Sequence, residues 1–197
     1  MTDEKRPYRM RRRAQLEEQT KLRITESAVA LHGSVGPART SVTAVAQRAG
    51  VRRSTVYRHF PDEVALFQAC SSHWMRSNPP PELASWASVK DPADRLNLAL
   101  EQLYPYYRAT EGMLGNILRD ESTMPVVEDL MRSFRGFLAA AADVLMAGWR
   151  LRGGARRRAR GAIGHALAFS TWHSLAREQG LDDAESAALM CRLVAAA

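Results

Sequence analysis

The sequence predicts an all-α protein with a basic amino-terminal head, on three observations. Alternating β-branched runs are absent, and Ala, Leu, Arg and Glu dominate the periodic stretches. The third observation is that the positive surplus lies at one end. Residues 1–61 hold 13 Lys and Arg against 5 Asp and Glu, whereas residues 62–197 hold 15 against 16. A surplus polarised in this way points to an anionic partner, where a uniform one would serve solubility alone.

The elements follow in chain order. The first ten or so residues, with Pro7 among Lys5, Arg6 and Arg9, read as a mobile basic arm, set at residues 1–12. From about Arg13 to Leu31, the residues Leu16, Thr20, Ile24, Ala28 and Leu31 recur at helical spacing, and Gly33, Gly36 and Pro37 end that helix. Thr40 is the expected N-cap of a short second helix, in which Val42, Val45, Ala46 and Ala49 share one face before Gly50. A third helix covers Arg53 to His59 and is closed by Pro61. Asp62 caps a fourth helix, which carries Val64, Leu66, Phe67 and Cys70 and lasts to about Arg76.

The stretch Ser77 to Pro81 is a break, and Asp91-Pro92 signals a new helix start. Further helices are expected at about 92–108, 111–118, 124–150, 156–178 and 183–195, with Gly153-Gly154 and Gly180-Asp182 as boundaries. The expected division is a basic head over 1–61, with a helix-turn-helix corner over about 41–60, and a larger helical body over 62–197.

Several classes are excluded. No apolar run approaches the roughly 18 to 20 residues that span a bilayer, and no signal-peptide core follows the first residues, so a cytoplasmic location is expected. Cys70 and Cys191 fit neither a disulfide framework nor a zinc site. Gly-x-Ser-x-Gly elbows, phosphate loops and His-Glu-x-x-His pairs are absent, so neither catalysis nor a metal or cofactor is expected.

The segment from Val42 to Phe60 carries the functional reading. Two short helices meet at a steep angle when a small residue permits approach, the turn can adopt the left-handed conformation and an aliphatic locks the corner. Ala46, Gly50 and Val56 meet these three needs. Val56 and Phe60 then turn inward, leaving Arg53, Ser54, Thr55, Tyr57, Arg58 and His59 outward or flanking. Residues 49–61 contain no acid, and their donors are the groups that hold phosphates and read base edges.

With these residues in view the sequence resembles the TetR family of bacterial transcriptional regulators. The resemblance rests on Gly36, Thr40-Ser41-Val42, Val45-Ala46, Ala49-Gly50-Val51, Thr55 to Pro61 and Ala65-Leu66-Phe67, and more weakly on Phe169 to Leu181. It implies an all-α homodimer in which a three-helix DNA-binding domain precedes a domain that dimerises and encloses a small-molecule effector. By position, Arg53, Ser54, Thr55 and Arg58 would read bases or backbone, Tyr57 and His59 would grip phosphates, and Thr40, Ser41 and Thr43 would abut the backbone. Two positions depart from the family's pattern. Glu63 stands where a phosphate-contacting lysine is common, and Arg52 replaces a small polar cap and would add a phosphate contact.

In the remainder, His165, Phe169 and His173 fall at i, i+4 and i+8, so that two imidazoles would flank an aromatic on one helix. With Tyr107, Met113 and Phe134 they form the expected lining of a mainly apolar effector pocket, the alternative being plain core packing. Ala162, Ala166, Ala184, Ala187, Ala188, Leu189, Leu193 and Val194 mark the last two helices as a close-packing face for a second copy. The expected function is a ligand-responsive repressor that acts as a homodimer on a near-palindromic operator. The rivals are a helical adaptor with a basic head for acidic partners and an enzyme with an unrecognised site.

Overall fold

The computed structural model describes residues 5–197, and among these every regular element is helical. The helices are α1 (Lys5–Ser34), α2 (Val42–Ala49), α3 (Arg53–His59), α4 (Glu63–Ser77), α5 (Leu83–Ala87), α6 (Pro92–Asp120), α7 (Pro125–Met146), α8 (Gly153–Ala166), α9 (Phe169–His173) and α10 (Asp183–Ala195). Two compact units result, one of residues 1–79 and 112–128 and the other of residues 80–111 and 129–197. Within the first unit, Leu66 and Cys70 of α4 are buried in the same cluster as Ile24 and Ala28 of α1.

The basic arm is not an arm over residues 5–12, which are the first turns of α1; residues 1–4 lie outside the described residues. Pro7 is tolerated there because the first turn of a helix has no intrahelical acceptor for its N–H groups. The expected apolar stripe begins only past Leu16, which is 55% exposed, whereas Ile24 and Ala28 are fully buried. The N-cap of α2 is Ser41, not Thr40. The Ser41 hydroxyl accepts from Ala44 N at 3.1 Å, while the Thr40 hydroxyl donates to Gly36 O at 2.8 Å.

In the second unit the short helix α5 buries Trp86, whose indole N–H donates to Gln102 Oε1 at 2.8 Å. The two helices expected at 92–108 and 111–118 are one helix, α6, with Thr110 bonded back to Tyr106 O. Helix α7 ends at Met146 rather than at 150. Arg95, only 6% exposed, donates to Val144 O and Ala147 O there and to Val89 O on its other side.

The helix expected over 156–178 is broken at Leu167-Ala168, and a π-turn over Ser174–Glu178 follows α9. The carbonyls at the break find distant donors. Tyr104 OH reaches Ala166 O at 3.0 Å, Tyr107 OH reaches Leu167 O at 2.7 Å and Thr171 Oγ1 reaches His165 O at 2.6 Å. Helix α10 spans the expected residues, opened by a capping box between Asp182 and Glu185.

Candidate nucleic-acid interface

The corner between α2 and α3 is built from its smallest residues outward. Gly50 takes φ 65° and ψ 36°, with its N–H on Gln47 O and that of Val51 on Ala46 O, the paired bonds of a Schellman cap. A side chain with Cβ would be strained in that conformation. Ala46 and Val56, 3% and 1% exposed, close the corner against Val45 and Ile24. Arg23 of α1 donates from Nε to Ala49 O at 2.9 Å, satisfying a carbonyl at the end of α2.

This packing leaves α3 with a polar outer face. Arg52, Arg53, Ser54, Tyr57 and Arg58 are exposed, as are Ser41 and Thr43, while Thr40, Thr55 and His59 are half-buried. Arg53 lies over the Tyr57 ring, 5.4 Å from its centroid, and donates to the Tyr57 hydroxyl at 3.2 Å. That bond raises the Arg53 pKa further, so the group stays cationic. His59 Nε2 is buried without a hydrogen-bond partner among the described residues. Asp62 caps α4 through Ala65 N at 2.7 Å, and Glu63 follows in the first turn, where the helix dipole favours a carboxylate.

A second network secures the end of α1. Asn116 Nδ2 donates to His32 O at 3.0 Å and Gly33 O at 2.9 Å, Arg119 Nη2 to Val35 O at 2.9 Å, and Asp120 Oδ2 accepts from Ala38 N at 3.0 Å. Burial opposes the charge on Asp120, but bonds from Arg119 and the Ala38 N–H outweigh it and hold the carboxyl below its ordinary range. Gly36, at φ 95° and ψ 158°, fits only because it lacks Cβ, which would overlap Arg119 Nη2 and Asp120 Oδ2. Burial also pushes the His32 ring down to about 4, against the opposing pull of Asp120. Sequence reasoning marked Gly36 but missed this network, whose partners lie more than 80 residues apart.

The expected effector residues are only partly brought together. In the second unit Tyr107, Phe169 and His173 form a ring cluster with Trp172: Tyr107 and Phe169 meet edge to face at 5.4 Å, and Phe169 and His173 lie 5.9 Å apart. His165 is exposed and off any shared stripe, because the helix breaks between it and Phe169. Phe134 is half-buried and stacks on Phe137 at 6.2 Å. Met113 belongs to the first unit, beside Gly33. Below the ring cluster, Asp183 accepts from Arg108 and from Trp172 Nε1, all at 2.8 Å.

Together α2, the turn at Gly50 and α3 form a helix-turn-helix with a basic, acid-free outer face. Residues 24–70 match the family model described as "Bacterial regulatory proteins, tetR family". Solved structures of similar fold include a TetR-like transcriptional regulator from Rhodococcus sp. RHA1, at a TM-score of 0.64 and 16% identity over 89% of this chain and 93% of that one. Another is FadR from Bacillus subtilis in complex with stearoyl-CoA, at 0.60 and 16% over 88% and 96%. NalD, the secondary repressor of the MexAB-OprM multidrug efflux pump in Pseudomonas aeruginosa, gives 0.60 and 19% over 91% and 96%. No curated protein matches by sequence. Residues 24–70 are thus similar to the DNA-binding domain of that family, and the chain's fold is similar to those of the solved structures above.

Proposed function

We propose that the chain is a ligand-responsive repressor that acts as a homodimer on a near-palindromic operator, each copy placing α3 in a major groove. The observation that carries this reading is the exposed, acid-free face of α3 and the residues before it, with Arg52, Arg53, Ser54, Tyr57 and Arg58 outward while Val56 and Phe60 are buried. Arg53, Ser54, Thr55 and Arg58 read base edges or backbone, whereas Arg52, Tyr57, His59, Thr40, Ser41 and Thr43 hold phosphates. Thr40 does so by turning its proton from Gly36 O to a phosphate oxygen.

Dimerisation through α8 and α10 fits their small residues and Leu193, which is 53% exposed on α10. Two copies then meet half-sites about one helical turn, or a multiple of it, apart. An effector enters the second unit near Phe169 and His173, with Tyr107 as the buried wall behind them. The complex of FadR with stearoyl-CoA supports a small-molecule response in a protein of this fold. A ligand that binds the two states of the second unit unequally shifts the population competent for DNA.

The test is binding to DNA sequences recovered from a random pool, measured by fluorescence anisotropy across salt concentrations. Specific affinity should fall steeply with salt, by a log–log slope of about 0.9 for each phosphate neutralised. Arg58→Ala should cost about 1–3 kcal/mol and relax the preference at one position of each half-site. Equal affinity for recovered and random duplexes would overturn the reading.

A further inference from the structure

Within the first unit, the end of α1, the start of α2, the start of α4 and residues 123–126 enclose a pocket of about 420 Å³. That lies within the range of small-molecule sites. Its walls are apolar, formed by Val42, Val45, Leu66, Phe67, Met124 and Val126.

The side-chain oxygens of Thr40, Thr123 and Glu63 in it are left to accept. The hydroxyl protons of Thr40 and Thr123 are spent on Gly36 O and Asp120 O, at 2.8 and 2.9 Å, so both oxygens are left with lone pairs. Glu63, exposed at the rim, brings a carboxylate that can only accept. His32 is 8% exposed and its ring makes no hydrogen bond among the described residues, lying tilted against the Phe67 ring at 5.6 Å. A neutral imidazole always offers one acceptor nitrogen. Ser41, whose oxygen is engaged by Ala44 N, and the ring N–H of the neutral His32 are the uncommitted side-chain donors.

We propose that this pocket binds a small primary amine with a compact apolar body, the ammonium toward Glu63 and the hydroxyl oxygens and the body against Phe67 and Val45. An ammonium brings three donors and no acceptor, so that Glu63 and the Thr40 and Thr123 oxygens can each receive one. A carboxylate of the same shape would meet Glu63 and acceptor oxygens instead. Occupancy braces α2 against α4, so it raises the melting temperature of the first unit. The site lies in the DNA-binding unit and is distinct from the effector cluster around Phe169; it does not depend on the repressor reading.

The experiment uses the full-length protein and three probes of one shape: 4-phenylbutylamine, 4-phenylbutan-1-ol and 4-phenylbutanoate. Resonances of the His32 ring and of the Val42 and Val45 methyl groups are followed by NMR during titration. The amine should shift them saturably, and bind at least about tenfold more tightly than the carboxylate, a difference of about 1.4 kcal/mol. Glu63→Gln should bring the amine close to the alcohol, and Val64→Trp, which fills the exposed rim, should weaken all three. Neither variant should alter the fold, because both side chains are exposed. Absence of saturable shifts with the amine, equal binding of the carboxylate, or an unchanged amine affinity in Glu63→Gln each overturns the proposal. Specific DNA binding, measured in parallel without probe, reports on the regulator reading separately.

Discussion

Replacing Gly36 by alanine tests the network that holds the end of α1. Gly36 sits at φ 95° and ψ 158°, a region essentially reserved for glycine, and forcing another residue into it costs about 1–3 kcal/mol. The added methyl also overlaps Arg119 Nη2 and Asp120 Oδ2. Arg119 must then release Val35 O, now at 2.9 Å, or Asp120 must release Ala38 N, now at 3.0 Å, each worth about 1 kcal/mol or more. Reduced freedom of the unfolded chain returns about 0.4–1 kcal/mol. The net expectation is a loss of about 1–4 kcal/mol in urea-induced unfolding, summing those terms. A double-mutant cycle with Arg119→Ala separates the causes, because removing the obstructing side chain should relieve the overlap but not the backbone strain. A loss below about 1 kcal/mol for Gly36→Ala, or strict additivity with Arg119→Ala, would refute the reasoning.

Two further predictions concern buried polar groups. The His32 ring titrates near 4 in the folded chain and near 6.5 when unfolded, so unfolding takes up a proton between those values. That part of the stability is fully present above about pH 6.5 and is lost as pH falls toward 4, at most roughly 3 kcal/mol; His32→Phe should flatten the denaturant midpoint against pH there. An unchanged pH profile in the variant would contradict the burial argument. Arg95→Met should destabilise the second unit by about 3–5 kcal/mol, because Val89 O and Ala147 O lose their buried donor. A chemical-denaturation loss below about 1 kcal/mol would show that water replaces the guanidinium there.

Local chemistry explains which elements were legible in the sequence. Gly50 and Pro61 bound α3 through properties of their own backbones, Asp182 announces α10, and the periodicity of Val42, Val45, Ala46 and Ala49 sets the buried face of α2. What stayed hidden depends on partners far along the chain. The break at Leu167-Ala168 is supported by phenols at Tyr104 and Tyr107, so His165 and Phe169 looked like neighbours on one helix and are not. The end of α7 is set by Arg95, some 50 residues upstream. Thr40 was the expected cap of α2, but the turn at Gly36 takes its proton and Ser41 caps the helix instead. The outward face of α3 could be anticipated from its lack of acids, whereas the pocket beside His32 could not, since it is assembled from several separate segments.

Selection of bound duplexes from a random pool, run in parallel on the natural protein and on Arg58→Ala, tests the central claim most directly. The natural protein should enrich one motif with twofold symmetry and half-sites about one helical turn, or a multiple of it, apart, and Arg58→Ala should lose information at matching positions of both halves. Enrichment of no motif, or of the same motif with undiminished information in Arg58→Ala, would contradict the assignment of α3 as the reading element.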